Sequence, residues 1–293
     1  MIEHTPRFDA ACWLILAIGL VAIFLPVYYA FVIASQPDSA QSLDLMTPPG
    51  AYLWENLRAA WTKDDLQRQL LNSTVMALGI TAGKLVISLL SAFAITYFRF
   101  RFRMVAFWAI FITLMLPVEV RIVPTFEVVA NVARPLTSIV SLAGIDIGLN
   151  FSMLDTYSGL ILPLIASATA TFLFRQFFLV VPDGLCEAAK VDGAGPMRFF
   201  FDILLPMSVT SIAALFVILF IYGWNQYLWP LLVTTQADMT TVVVGVVRTL
   251  PTDNADTRWN LTMATTLLAM APPVLVVVLL QRWFVGGLVD QEK

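Results

Sequence analysis

Histidine is almost missing from this chain. The single copy, His4, lies near the start of the 293 residues. No Ser/His/Asp or Cys/His set with plausible geometry can be assembled, which argues against an enzyme in its own right. Cysteine is nearly as scarce. Cys12 lies at the edge of an apolar run and Cys186 in a distant polar loop, so neither a disulfide nor a metal site is expected. No GxxxxGK[ST] run occurs, so the chain has no loop of its own to cradle ATP. Charged residues make up only 13%, about half the share of a soluble domain. The net charge is −3 and no basic tail offers a footing for nucleic acid. Internal repeats and low-complexity tracts are lacking too, which leaves a single membrane domain over residues 1–293.

What remains is apolar. Hydrophobic residues reach 59% and the mean hydropathy is +0.82. Runs of about 20 mostly apolar residues mark membrane-crossing helices. They predict an all-α membrane protein with six transmembrane helices near 12–34, 71–98, 104–126, 155–181, 203–233 and 262–286. Pro26, Pro117, Pro163, Pro230, Pro272 and Pro273 fall inside or close to these spans, where neighbouring helices can satisfy the freed backbone groups. The first span has no charge from Ala11 to Gln36 and no basic lead, so it reads as an uncleaved helix.

Six crossings put both termini on one side. That side carries nine basic residues: Arg7, Arg99, Arg101, Arg103, Arg175, Lys190, Arg198, Arg282 and Lys293. The other carries six: Arg58, Lys63, Arg68, Arg134, Arg248 and Arg258. Basic residues favour the cytoplasmic side, and the tight FRFRFR turn from Phe98 to Arg103 strengthens the bias. Both termini are therefore expected in the cytoplasm. On the opposite face, Leu53, Trp54, Leu57 and Trp61 fall at helical spacing, which suits an interfacial helix or a plain connecting one.

Ionisable groups inside spans are costly and are commonly paired or functional. Lys84, Glu119 and Arg121 are the three here. Counted from the arginine turn, Lys84 and Glu119 share a depth of roughly 21–23 Å, which permits an ion pair between them. Arg121, bracketed by Pro117 and Pro124, is expected in locally unwound chain, either receiving a phosphate or snorkelling to headgroups. Asn225, Gln226 and Tyr227, in the GWNQYLWP stretch, offer polar groups to a pathway. Trp224 and Trp229 fit an aromatic belt equally well. Gly79 and Gly83 form a small-xxx-small step that permits close helix contact.

The polar run EAAKVDGAGPMRFFFDILLP, Glu187 to Pro206, is unlike an ordinary loop. Glu187, Ala188, Ala189 and Lys190 are good helix formers, and Gly193, Gly195 and Pro196 break the helix. This run resembles the EAA loop of the membrane subunits of bacterial ABC importers, matching at Glu187, Ala188, Ala189, Gly193, Ile203, Leu205 and Pro206. Asp192 and Ala194 also match the carbohydrate-uptake branch. LMLPVEVRIVPTFEVVAN, ATATFLFRQFF, FIYGWNQYLWPLL and FVGGLVDQEK extend the likeness to the UgpE-type permeases of sn-glycerol-3-phosphate importers. The chain departs from them in having no further proline between Met207 and Ser211 and a long stretch from Val132 to Ser152.

The resemblance implies a permease subunit of the bacterial inner membrane that moves sn-glycerol-3-phosphate, with glycerophosphodiesters as a further class. Its cytoplasmic coupling loop, 182–202, lies between helices four and five. Glu187, Ala188, Ala189, Asp192, Gly193, Arg198 and Phe199 would act in coupling to an ATPase. It further implies a second, non-identical permease, two copies of a cytoplasmic ATPase that hold ATP and Mg, and a periplasmic solute-binding protein. No cofactor is expected on this chain. A permease for a neutral sugar or polyol is the nearest alternative. An ion-coupled transporter is a remoter one, since it would want inverted repeats and acidic relay groups, and only Glu119 qualifies.

Overall fold

The computed structural model describes residues 6–38, 47–63, 65–113, 118–134, 137, 150–250 and 258–289, without the side chains at 6–9, 118–119 and 282–289. His4, Pro117, most of the Val132–Ser152 stretch and the tail beyond Val289 lie outside them. The described residues form helices joined by turns, with no strand among them. Among the described residues three helices are long and apolar enough to cross a membrane: Ala10–Ala34, Leu66–Tyr97 and Trp259–Gln281. Two bent pairs, Tyr157–Leu164 with Ala168–Val180 and Pro196–Met207 with Val209–Trp224, raise the number to five. Arg103–Ile112 is a shorter apolar helix, and Val118–Ala130 follows it.

The chain groups into two compact units. One takes in residues up to 67 with 245–272, and the other 68–244 with 273 onward. In the first, Ala34, Ala60 and Ala264 are fully or almost fully buried against one another. Leu53 and Leu57 of helix Leu53–Thr62 join that cluster, while Trp54 and Trp61 stay exposed. The expected amphipathic helix therefore packs its leucine face on protein rather than lying free on a surface. Buried Asn56 fixes it. Its amide donates to the Ala34 and Gln36 carbonyls, both at 2.8 Å, and its oxygen accepts from Asn260 at 3.2 Å.

In the second unit the helix Leu66–Tyr97 is central. Its buried residues Ser73, Met76, Ala77, Ile80, Thr81, Lys84, Leu85, Ser88, Leu89 and Ala92 recur at three and four, the period of a helix packed along one stripe. The small step works as a contact. A Cβ on Gly79 would meet Ile161 Cδ1 at 2.6 Å, and one on Gly83 would meet Ile165 Cγ2 at 2.5 Å. Near one end, buried Asn72 donates to the Asp238 and Thr240 carbonyls and accepts from the Tyr157 hydroxyl at 2.7 Å.

Two expected spans are not continuous helices. The stretch 155–181 bends by 49° between Leu164 and Ala168. Pro163 lies just before the break, and Ser167, in extended conformation, caps the helix that follows by accepting from Ala170 N. The stretch 203–233 bends by 73° at Ser208. Pro206 cannot donate to the preceding turn and its ring crowds it. The backbone relaxes into a π turn, Phe200–Leu204, and the Ser208 hydroxyl takes up the Leu204 carbonyl at 2.6 Å. Regular helix then ends at Trp224, and Leu228–Val233 is a separate short helix.

Candidate functional site

The EAA run folds as the helix Asp183–Val191, with Asp183 in its first turn and Lys190 in its last. Both charges complement the helix dipole. Its end is closed by two backbone bonds, Gly193 N to Lys190 O at 3.1 Å and Ala194 N to Ala189 O at 2.8 Å. This pairing requires a left-handed residue after the cap, and Gly193 supplies it with φ +74°. Gly184, Glu187, Ala188 and Val191 form one exposed stripe, and Val191 is 87% exposed. Ala189 is turned the other way, buried with Phe93, Phe199 and Phe200.

The residues expected to act together thus divide. Glu187, Ala188 and Asp192 are exposed, as is Arg198, which pairs with Asp202 at 3.3 Å. Ala189 and Phe199 are not surface groups: Phe199 is 5% exposed and packs its ring 5.2 Å from Tyr97. They support the helix from behind. A cavity of about 170 Å³, lined by Phe93, Tyr97, Cys186, Ala189 and Phe199 among others, lies there. The exposed Val191 was missed in the sequence, although its spacing from Glu187 and Ala188 marks the same face.

A second cluster surrounds Lys84, which sits in the buried stripe at 7% exposure. Its Nζ lies 4.0 Å from the centroid of the Tyr222 ring, a cation held by an aromatic face. Gln226 folds its amide back onto the Tyr222 carbonyl at 3.1 Å. Arg121 is exposed. It stands in the helix Val118–Ala130, which runs unbroken through Pro124, so the expected unwinding is absent from those residues. The Glu119 side chain, and with it the expected pair to Lys84, lies outside the described residues. Asn225 and Tyr227 are exposed at the break after Trp224. Trp224 and Trp229 do not form a lipid-facing belt: Trp224 stacks on Phe220 and Trp229 packs with Val129 and Val233. Tyr222 was not singled out in the sequence, because only the fold brings it to Lys84.

Asp155 forms a clamp that no local pattern announces. Its carboxylate accepts from Thr235 N and Thr235 Oγ1, both at 2.6 Å, and from Gln236 N at 2.9 Å. Burial acts to raise its pKa, but the bonds from Thr235 and Gln236 outweigh it and hold the carboxyl below its ordinary value. A depressed value stabilises the folded state above the ordinary carboxylate range near 4, and that contribution fades as pH falls through the folded value. Asp155→Asn is expected to lower the melting stability of the purified protein by ~1 kcal/mol at neutral pH, allowing for solvent screening. The difference should vanish in acid. Equal deficits at neutral and acid pH would show that the charge is not what the clamp uses.

The fold is that of the membrane-embedded subunits of ABC importers. A crystal structure of a bacterial ABC transporter involved in the import of the acidic polysaccharide alginate matches with a TM-score of 0.77 and 16% identity, over 97% of this chain and 99% of that one. The same alginate transporter type in complex with its pentasaccharide-bound periplasmic protein matches with a TM-score of 0.64 and 18% identity, over 95% and 96%. Residues 84–289 match the family described as binding-protein-dependent transport system inner membrane component, and the chain belongs to that family. Among its relatives is the sn-glycerol-3-phosphate transport system permease protein UgpE of Yersinia pestis bv. Antiqua, 53% identical over the whole of both chains. Proteins of the same name from Agrobacterium fabrum and Brucella melitensis are 52% and 53% identical, again over the whole of both chains. The chain is therefore a UgpE-type transport permease, a non-catalytic subunit of an inner-membrane importer.

Proposed function

We propose that this subunit carries sn-glycerol-3-phosphate across the inner membrane, with a second, non-identical permease at its side. The full-length likeness to permeases named for that solute is the observation that carries the reading. In this proposal Arg103–Ile112 and Val118–Ala130 together make a sixth crossing, and both termini lie in the cytoplasm. The exposed stripe of Asp183–Val191 docks into one of two copies of an ATPase, which hold ATP and Mg. A periplasmic binding protein delivers solute to the outer loops.

Motion passes along one stretch of chain. The docked helix is closed by Gly193 and leads through the π turn and the Ser208 bend into Val209–Trp224. That helix carries Tyr222, the ring over Lys84. A push on the loop therefore reaches the aromatic face that holds the buried cation. Lys84 and Arg121 supply positive charge to a solute that carries a phosphate, with Asn225, Gln226 and Tyr227 as polar groups for its glycerol end.

The test is uptake of labelled solute by the reconstituted complex. sn-Glycerol-3-phosphate should be taken up, and glycerol and maltose should not. Glycerophosphocholine measures how far diesters are accepted. Lys84→Met is expected to lower phosphate-ester uptake ~10-fold or more, the worth of a charge-assisted hydrogen bond. Maltose uptake matching that of sn-glycerol-3-phosphate would overturn the phosphate reading in favour of a neutral-sugar permease.

A further inference from the structure

The turn between Leu66–Tyr97 and Arg103–Ile112 alternates phenylalanine with arginine from Phe98 to Arg103. Nothing in the transport cycle above uses it. Phe98, Phe100 and Phe102 are 40%, 42% and 63% exposed. Arg99 and Arg101 are exposed and Arg103 is half-buried. Among the described residues none of these arginines pairs with a carboxylate. Arg101 lies 5.8 Å from the Phe102 ring, its guanidinium over an aromatic face. Apolar exposure runs on into the next helix through Met104, Val105 and Trp108. A surface that is both apolar and cationic, between a helix long enough to cross a membrane and a shorter apolar one, has the chemistry of an interfacial anchor. The rings suit the acyl boundary and the guanidinium groups suit the phosphates above it.

The turn is also wired inward. Phe98 packs edge-on to Phe93 at 5.3 Å, and Phe93 lies 4.9 Å from Phe200. Tyr97 packs 5.2 Å from Phe199. Phe93, Phe199 and Phe200 form the buried bed on which Ala189 of the EAA helix rests. Phe98 and Lys190 face the same cavity of about 170 Å³. One aromatic cluster thus backs the helix Asp183–Val191 and ends in the arginine turn.

We propose that the Phe98–Arg103 turn binds the headgroups of anionic phospholipids in the inner leaflet, and that this contact sets the position of the EAA helix. ATP-driven transport then depends on anionic lipid. The inference rests on the docking role given above to Asp183–Val191. It commits to a lipid partner because three arginines with no acidic partner among the described residues alternate with three exposed rings at the end of a membrane-length helix. An acidic surface of the ATPase would need the charges but not the rings.

The test uses the whole importer in nanodiscs, either neutral phosphatidylcholine or phosphatidylcholine mixed with phosphatidylglycerol. Native mass spectrometry measures retained phosphatidylglycerol, and a second assay measures ATP hydrolysis stimulated by the binding protein. Each arginine near an anionic surface is worth roughly five-fold in lipid affinity. The Arg99→Gln, Arg101→Gln, Arg103→Gln triple variant should lose phosphatidylglycerol retention and the lipid response of the ATPase, while matching the parent in neutral discs. The corresponding triple lysine variant should keep both, because the attraction is one of charge. Equal activity of the parent in both lipids would overturn the link to coupling. Retention unchanged in the glutamine variant would overturn the site. Loss of the ATPase subunit from that variant in neutral discs would assign the turn to the ATPase. Glu187→Arg tests the docking role separately: lost stimulation there, beside a lipid-indifferent parent, would leave that role standing and sink this inference alone.

Discussion

Glu187→Arg is expected to abolish solute-stimulated ATP hydrolysis while the protein inserts and folds as the parent does. Glu187 lies on the exposed stripe of Asp183–Val191, beside Ala188 and Val191. Because the side chain faces away from the buried bed under Ala189, reversing its charge leaves the chain's own packing intact. We propose that in the docked state the Glu187 carboxylate meets basic groups of the ATPase, and the same change sets a cation against them. Reversal of a charge in a desolvated, hydrogen-bonded contact costs on the order of 2–5 kcal/mol, or at least about 30-fold in affinity. The measurements are ATP hydrolysis with and without loaded binding protein, and the melting temperature of the purified complex. Unchanged stimulation would remove the docking role. A fall in melting temperature as large as that of a core variant would show that Glu187 serves the fold instead.

The second large effect belongs to Gly83. A Cβ there would lie 2.5 Å from Ile165 Cγ2 and 2.8 Å from Ile165 Cβ. The latter is a branch point close to the backbone, in the break between Leu164 and Ala168, and it cannot swing aside. Ser88, one turn further on, donates to the Ser167 carbonyl at 3.2 Å and fixes the same break. Gly79 is less strict, since its nearest neighbour is the mobile end of Ile161. Overpacking a tight contact costs about 1–3 kcal/mol. Gly83→Leu should therefore lower the melting temperature most, Gly83→Ala less and Gly79→Ala least, with uptake falling in the same order. Equal effects of Gly79→Ala and Gly83→Ala would show that the two helices part as a whole, with no single point of contact deciding the cost.

Much of this fold can be read from composition and spacing. The apolar length of Leu66–Tyr97 announces a crossing helix, the Gly79/Gly83 step lies where two helices meet, and Gly193 ends its helix where a break is expected. What escapes the sequence is how far the chain bends at the breaks near Pro163 and Pro206. The stretches 155–181 and 203–233 stay apolar through their breaks, and a hydropathy window registers length, not direction. Ser167 and Ser208, which mark the bends, are ordinary residues in ordinary places. The division of the EAA run was hidden for another reason. Ala188 and Ala189 are identical in kind, and only the aromatic bed beneath the helix decides which one faces out. The Asp155 clamp and the Lys84–Tyr222 contact join residues 80 and 138 positions apart. Periodicity carries no information at that range.

The two faces of Asp183–Val191 also answer to different constraints. Under the proposed docking its outward stripe can vary with the ATPase it meets, because those side chains are exposed. Its inward residues are tied to rings drawn from two separate stretches of sequence, Phe93 to Phe98 and Phe199 to Phe200, and they can change only together. In that proposal partner choice and force transmission are separable inheritances carried by nine residues. A transplanted loop would bring the first without the second.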